Sequence, residues 1–389
     1  MARIRTSRLA AVALAAAAVG AAPAAYAEDI VVGVATAQTG GLAPYDQPAL
    51  AGLRMAIDEI NAKGGLGGKY PVDLIIKDTR SDTAQTATVA QELVDAGAKI
   101  MISPCDADPS ISIGQITQPL GIPTITLCGT APVLTTAVGD VMFGSYPGDN
   151  AQATVVADFA IAEGKKTAFL LVSPDSTYTA NLPEYFGTVF EKKGGKVVGR
   201  ASFTMGQPDF SAVVTNIKNL PEQPDVIMTA AYEPDFPAFI QQLRAAGVTT
   251  PVYGADALST PTIRGLGPLV DGVVYTAAGY AEPGSTLDAF NKAFEKAAGH
   301  APESIYEANG YEIGLVLDEA VKIAGSDDPA AIRDAIAGLE DFQGVTGKIT
   351  YAGTTGMPLR PVVLMRYENG GTPVYVKTET PAAADVPAP

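Results

Sequence analysis

Histidine and cysteine are almost missing from this chain, which has one histidine, His300, and two cysteines, Cys105 and Cys128, in 389 residues. So small a supply leaves no cluster with metal-ligand spacing. No nucleophile elbow or phosphate-cradling glycine loop is visible either. His300 lies in Ala298-Gly299-His300-Ala301-Pro302, a helix exit where a surface or capping role is expected. Positive charge is also short: 26 Lys and Arg stand against 42 Asp and Glu, a net charge of −16. Such a surface repels nucleic acid and anionic lipid, so neither is an expected partner. Beyond the N-terminal segment no apolar run reaches the about 20 residues a membrane span needs, so the chain is expected not to be membrane-anchored. These absences offer nothing to support metal, cofactor or catalytic chemistry, so no enzyme is expected.

The N-terminus carries the clearest local signal. Arg3, Arg5 and Arg8 precede an apolar run from Leu9 to about Ala22, and Ala25-Tyr26-Ala27 offers small residues before Glu28-Asp29. Charge, a short apolar core and a small-residue exit, in that order, make a secretory signal. Residues 1–27 are expected to be removed after Ala27, delivering the product to the periplasm. No cysteine stands at the exit to carry a lipid.

What remains, Glu28–Pro389, is 362 residues with a net charge of −19, longer than one hydrophobic core usually serves. Apolar strands alternate with amphipathic helices: Ile30–Ala35, Val72–Lys77, Lys99–Ser103 and Ile122–Thr126 read as strands. Leu50, Leu53, Ile57 and Ile60 recur at helical spacing between the first two. The pattern restarts after Tyr146-Pro147-Gly148, with strands at Thr167–Val172, Val197–Phe203, Val226–Ala230 and Pro251–Gly254. Helices return over Leu287–Ala324, and Lys348–Tyr351 reads as a returning strand. Continuous apolar strands separated by helices predict parallel sheets covered on both faces, hence two α/β lobes. The chain is expected to cross between them more than once.

In such sheets ligands bind beyond the carboxyl ends of the strands. Thr126-Leu127-Cys128-Gly129-Thr130-Ala131-Pro132 leaves a strand there, and Thr130 is a candidate N-cap whose free N–H groups would attract a carboxylate. Tyr45, Tyr178, Tyr232 and Tyr306 fall in or near strand-end loops, where tyrosines either wall a pocket or merely pack. Asp256 follows a strand and is placed to pair with a ligand ammonium, or is solvated. Glu233 and Asp235 could be imagined as acid/base partners of Asp256, but a solvated loop accounts for them.

Six segments, "IVVGVATAQTGGLAPYD", "GLRMAIDEINAKGGLGGKYPVDLIIKD", "GIPTITLCGTAPVLT", "SPDSTYTANL", "AAYEPDFPAFIQQLRAAG" and "PVYGAD", resemble in order and spacing the branched-chain-amino-acid-binding type of periplasmic substrate-binding protein. The resemblance implies a type I fold: two doubly wound Rossmann-like lobes joined by a hinge of three crossovers. It would divide the chain into residues 28–146 with 279–355, residues 147–278 with 356–379, and a frayed tail at 380–389. It further implies a monomer that closes on a small amino-acid-like or amide ligand and delivers it to the permease subunits of an ABC transporter. A periplasmic sensor subunit, or a binder of a polyol, amine or aromatic acid, is the alternative. In the family, the segment matching Cys128-Gly129-Thr130 holds the ligand carboxylate and the matches to Tyr232 and Asp256 meet the amine. Tyr45, Tyr178 and Tyr306 match pocket-lining positions.

One departure stands out. Where the family presents a serine hydroxyl to the ligand carboxylate, the nearest match here is Asp106. Two like charges about 4 Å apart cost about 4 kcal/mol at a surface-type dielectric, which is nearly three decades in affinity. Either Asp106 points away from the cleft, or the ligand is not a standard α-amino acid. Cys105 and Cys128 each lie two residues beyond a strand end. If those strands are parallel neighbours, the separation suits a disulfide in an oxidising compartment, against the alternative of two buried thiols.

Overall fold

The computed structural model describes residues 28–389, so the expected signal segment, residues 1–27, lies outside the described residues. The first half alternates β1 (Ile30–Thr36), α1 (Ala43–Ala62), β2 (Val72–Asp78), α2 (Thr83–Asp95), β3 (Ile100–Ser103), α3 (Ala107–Thr117), β4 (Thr124–Thr126), α4 (Val133–Val138) and β5 (Met142–Phe143). Its strands form a five-stranded parallel sheet in the order β2-β1-β3-β4-β5. β1 reads Ile-Val-Val-Gly-Val-Ala-Thr and is buried along almost its whole length, as helices on both faces require.

A second series follows: α5 (Asp149–Ala162), β6 (Thr167–Val172), α6 (Thr177–Lys192), β7 (Lys196–Ser202), α7 (Ser211–Lys218), β8 (Val226–Thr229), α8 (Asp235–Ala245), β9 (Val252–Tyr253), α9 (Pro261–Arg264) and β10 (Val274–Ala277). The chain then returns to the first lobe with α10 (Thr286–Ala298), α11 (Tyr306–Ala324) and α12 (Pro329–Ala337), and makes a small ribbon of β11 (Phe342–Gln343) and β12 (Lys348–Ile349). It ends in the hairpin β13 (Val362–Glu368) and β14 (Thr372–Glu379). The second sheet runs β14-β13-β10-β9-β8-β6-β7, with the hairpin antiparallel at one edge. The two doubly wound sheets form two lobes linked by three crossovers of the chain, the architecture that the sequence resemblance implies.

Two expectations change. Lys348–Tyr351 does not rejoin a parallel sheet; β12 pairs only with β11, antiparallel, because its polar Lys348 suits an edge ribbon rather than a buried strand. Residues 380–389, expected to fray, lie against α5 and α6 instead. Asn150 Nδ2 donates to the Pro387 carbonyl (2.8 Å), and Lys192 Nζ stands 3.3 Å from Asp385 Oδ1. That exposed pair contributes little energy.

Two features of the packing position the site. α1 and α11 cross so closely that a Cβ on Gly52 would lie 1.7 Å from the Glu307 carbonyl oxygen, and one on Gly310 1.8 Å from that of Ala49. Only glycine fits at both points, and the crossing sets Tyr45 of α1 edge-on to Tyr306 of α11, centroids 5.8 Å apart. The connectors are tied to one another as well. The Tyr351 hydroxyl donates to the Gly144 carbonyl (2.6 Å), and the Ala278 N–H donates to the Tyr146 hydroxyl (2.8 Å). Buried Arg360 donates to the Ser145 carbonyl (2.5 Å) and to Glu312 (2.9 Å).

Candidate functional site in the cleft between the lobes

The carboxyl ends of β1, β3 and β4 face those of β6, β8 and β9, and the loops beyond them meet. Between them lies an enclosed cavity walled by Leu42, Tyr45, Cys105, Cys128, Thr130, Tyr178, Tyr232, Asp256, Ala257 and Tyr306. Its free volume is only about 10 Å³, room for about one water, so the walls touch and the cleft is drawn shut. Seven of the nine residues singled out from the sequence, namely Tyr45, Cys128, Thr130, Tyr178, Tyr232, Asp256 and Tyr306, therefore converge on one point.

The tyrosines form a continuous aromatic lining. Tyr178 and Tyr232 stack at 4.9 Å between centroids, and Tyr45 tilts against Tyr232 at 5.3 Å. Their hydroxyls do the polar work. Tyr178 donates to Asp256 Oδ1 (3.2 Å) and Tyr306 donates to the Asp256 carbonyl (2.8 Å). Tyr45 accepts from the Glu233 N–H (3.0 Å), which ties α1 to the second lobe. Burial in this apolar ring pushes the Asp256 carboxyl up to about 6, although the hydroxyls around it pull the other way.

The other two residues stand differently. Gly129 does not line the cavity, and its N–H donates to Thr126 Oγ1 (2.9 Å) and is spent within its own loop. Thr130 does not cap a helix, because α4 starts only at Val133 with Pro132 in the cap position; its hydroxyl lies instead beside Asp149. Asp106 does face the cleft. It caps α3 by accepting from the Asp108 N–H (3.0 Å), and across the cleft it accepts from the Tyr232 hydroxyl (2.8 Å) and Ser176 Oγ (3.0 Å). It lines a mouth of about 320 Å³ that it shares with Tyr232, and burial, aided by Asp108, raises its carboxyl above the usual range. Glu233 and Asp235 do not converge on Asp256. Glu233 accepts from the Thr260 hydroxyl and Asp235 accepts from the Gly206 N–H (2.7 Å).

Cys105 and Cys128 are joined as a disulfide, with their Cα atoms 4.3 Å apart at the ends of the neighbouring strands β3 and β4. The bridge forms part of the cavity wall and couples the two loops of the first lobe. Asp46, which the sequence reading passed over, reinforces them. It is fully buried in α1 and accepts from the N–H groups of Ala37 (2.6 Å) and Cys105 (2.8 Å). Burial lifts its carboxyl to about 7. A buried acid in the apolar first turn of a helix, directly after Tyr45, was the available signal.

A second missed residue closes the cleft. Asp108 of α3 accepts from both the N–H (3.0 Å) and the hydroxyl (2.6 Å) of Thr177 at the start of α6. With Asp106 on Ser176 and Tyr232, this makes a latch that exists only when the lobes meet. Hydrogen bonds to charged groups are worth about 1.5–3 kcal/mol, discounted here by partial exposure. Asp108→Ala is therefore expected to speed ligand dissociation about tenfold with little change in association. Stopped-flow kinetics read this, and an unchanged dissociation rate would show that the latch carries no closure energy.

Among the described residues, no helix is long and apolar enough to cross a membrane, and no His, Cys, Asp and Glu cluster could hold a metal ion.

Residues 29–372 match the family described as periplasmic binding protein. A Leu/Ile/Val-binding protein of Rhizobium johnstonii is 28% identical over 351 residues, 90% of this chain and 94% of that one. A Leucine-, isoleucine-, valine-, threonine-, and alanine-binding protein of Pseudomonas aeruginosa is 25% identical, covering 84% of this chain and 86% of that one. Among solved structures, a leucine-binding protein from Thermotoga maritima superposes with a TM-score of 0.83 at 25% identity, covering 90% and 99% of the two chains.

Proposed function

Because the chain belongs to the periplasmic binding protein family, of the branched-chain-amino-acid type, we propose that it is the solute-binding component of an ABC importer. It is a binding protein and not an enzyme, as its relatives are. Its ligand is a small polar molecule, amino-acid-like or an amide, held between the lobes and handed as the closed complex to the membrane permease. The observation that carries the reading is the cavity built from both lobes, with Tyr45, Thr130 and Tyr306 on one side and Tyr178, Tyr232 and Asp256 on the other. A ligand touching both halves is bound more tightly by the closed form than by the open one. That difference is the only way a ligand can drive closure. The roles follow from chemistry: Asp256 accepts from a ligand amine, the tyrosines exclude water and supply hydroxyls, and Thr130 reaches the opposite end. The protein acts as an unanchored monomer of the periplasm.

A thermal-shift screen of amino acids, amides, amines, polyols and aromatic acids tests this. A ligand present at 100 times its dissociation constant adds about 2.7 kcal/mol of stability. At least one of these classes is expected to raise the melting temperature by several degrees. No shift from any class would reject the reading.

A further inference from the structure

The acids of the cleft outnumber anything that could neutralise them. Asp256 and Asp106 are buried at its two sides, and a third, Asp149, lies at the N-terminus of α5. Asp149 is 0% exposed, and among the described residues the Thr130 hydroxyl beside it is the one group that meets its carboxylate, which has no backbone donor and no cation. Its N–H donates to the Thr130 carbonyl (2.8 Å), so it stands directly against the loop that walls the cavity. It is near enough to Asp256 and Asp106 for their repulsion to add to burial in raising its carboxyl well above the usual range. One hydroxyl leaves most of a buried carboxylate unsatisfied, which is costly, so this carboxyl, set behind the Thr130 wall of the cavity, is placed for a donor that enters. Among the described residues no cation serves it. Arg360, the one basic side chain in the buried set of described residues, is paired with Glu312 at 2.9 Å.

The way in has the same sign. The mouth is lined by Asp106, Asp108, Asp175, Glu233 and Asp235, and no Lys, Arg or His is among its walls. A carboxylate entering there would pass five acids and come to rest beside Thr130, with Asp149 behind it. An amine meets the opposite situation, since a cleft of one charge concentrates ligands of the other. The cysteine loop offers no counterweight, because the Gly129 N–H is already donated to Thr126.

We propose that the ligand is a small organic cation, an amine or amino amide of net positive charge, whose nitrogen-bearing ends meet Asp256 and Asp149, and not a zwitterionic amino acid or an aromatic acid. This rests on the solute-binding reading above and narrows it. Asp256 takes one end, as in that reading. Asp149 takes the donors of the other end where an ordinary amino acid would present its carboxylate. Asp106 keeps its hydroxyl partners and screens the entrance against anions.

Leucine and leucinamide differ by replacement of the carboxylate with a neutral amide and so separate charge from shape. Titration calorimetry of the purified protein with this pair, together with putrescine, acetamide and benzoate, is the test. The tightest binding is expected among the cations, with leucinamide at least about 100-fold tighter than leucine, the factor a single unfavourable buried charge supplies. Asp149→Asn, nearly isosteric, is expected to weaken the best cation at least about tenfold. Tighter binding of leucine, acetamide or benzoate than of either cation would overturn the charge assignment and leave the solute-binding reading standing. So would an Asp149→Asn protein that binds the cation unchanged. Because the matched-ligand comparison uses the unsubstituted protein, it decides even if the variant fails to fold. Silence of every probe in calorimetry, together with an unresponsive thermal-shift screen, would overturn both.

Discussion

Asp256→Ala is expected to abolish ligand binding and leave the fold intact. The side chain is buried at the convergence of the Tyr178 and Tyr306 hydroxyls, so its loss removes the charged partner proposed for the ligand and also the acceptor that orients Tyr178. Truncating one partner of a buried, hydrogen-bonded charge pair costs about 2–5 kcal/mol, a rise in Kd of about 30- to 5,000-fold. Asp256→Asn keeps an acceptor for Tyr178 and isolates the charge; it should lose most of the same affinity for an amine. Calorimetry on both variants checks this, and unchanged affinity in either would remove Asp256 from the site.

The same group sets a pH dependence whose sign is opposite for ligand and for fold. Its carboxyl is raised to about 6 in the folded protein. A ligand ammonium needs the ionised form, so affinity should fall about tenfold for each pH unit below that value. The unliganded fold responds the other way. Asp256 and Asp46, the latter raised to about 7, hold protons more tightly folded than unfolded. Stability contributed by their protonated forms is present at low pH and is lost as pH rises from the usual carboxylate range through about 6–7. Asp78, Asp225 and Asp327 are shifted down by backbone donors or by Lys99, so their contribution disappears only in stronger acid. The melting temperature without ligand should therefore peak in mild acid, and the gain on adding an amine ligand should be largest at neutral pH.

The second large effect belongs to the disulfide. Cys105 and Cys128 are 23 residues apart in sequence, and closing a loop of that length constrains the unfolded chain by about 3 kcal/mol. Cys105→Ser combined with Cys128→Ser should lower unfolding free energy by about that amount in urea titration. The bridge also couples the two loops that present Thr130 and Asp106, so ligand affinity should weaken as well as stability. A double variant as stable as the parent would mean that the bridge closes a loop already ordered in the unfolded state.

How much of this was legible in the sequence follows from what the patterns encode. The strands of both sheets were readable because β1, β3, β6 and β8 are continuous apolar runs, buried on both faces. The terminal hairpin was not, because Arg366 and Lys377 break its run at a sheet edge where one face stays wet. Lys348–Tyr351 carried a strand-like composition that short-range pairing with β11 used up. Tyr45, Tyr178, Tyr232 and Asp256 could be found because they follow strand ends, where any doubly wound sheet builds its site. Tyr306, expected near a strand end too, instead opens α11 after α10 and reaches the cavity through the α1–α11 crossing. Thr130 was misread because a proline two residues later takes the cap position. Asp149 was invisible for a different reason. An acid opening a helix reads as an ordinary complement to the helix dipole, and only packing reveals that this one is wholly buried beside a single hydroxyl, with no cation among the described residues to meet it. Latch residues such as Asp108 share that difficulty, since Thr177 lies 69 positions away and only lobe closure brings the two together.

Small-angle X-ray scattering of the purified protein, with and without the compound that gives the largest thermal shift, tests closure on a ligand most directly. The account predicts that the radius of gyration falls on saturation to the value of the compact form described above, and that Asp256→Ala shows no such fall under the same conditions. Saturable binding with an unchanged radius of gyration, or compaction that persists in Asp256→Ala, would place the ligand outside the cleft and contradict the account.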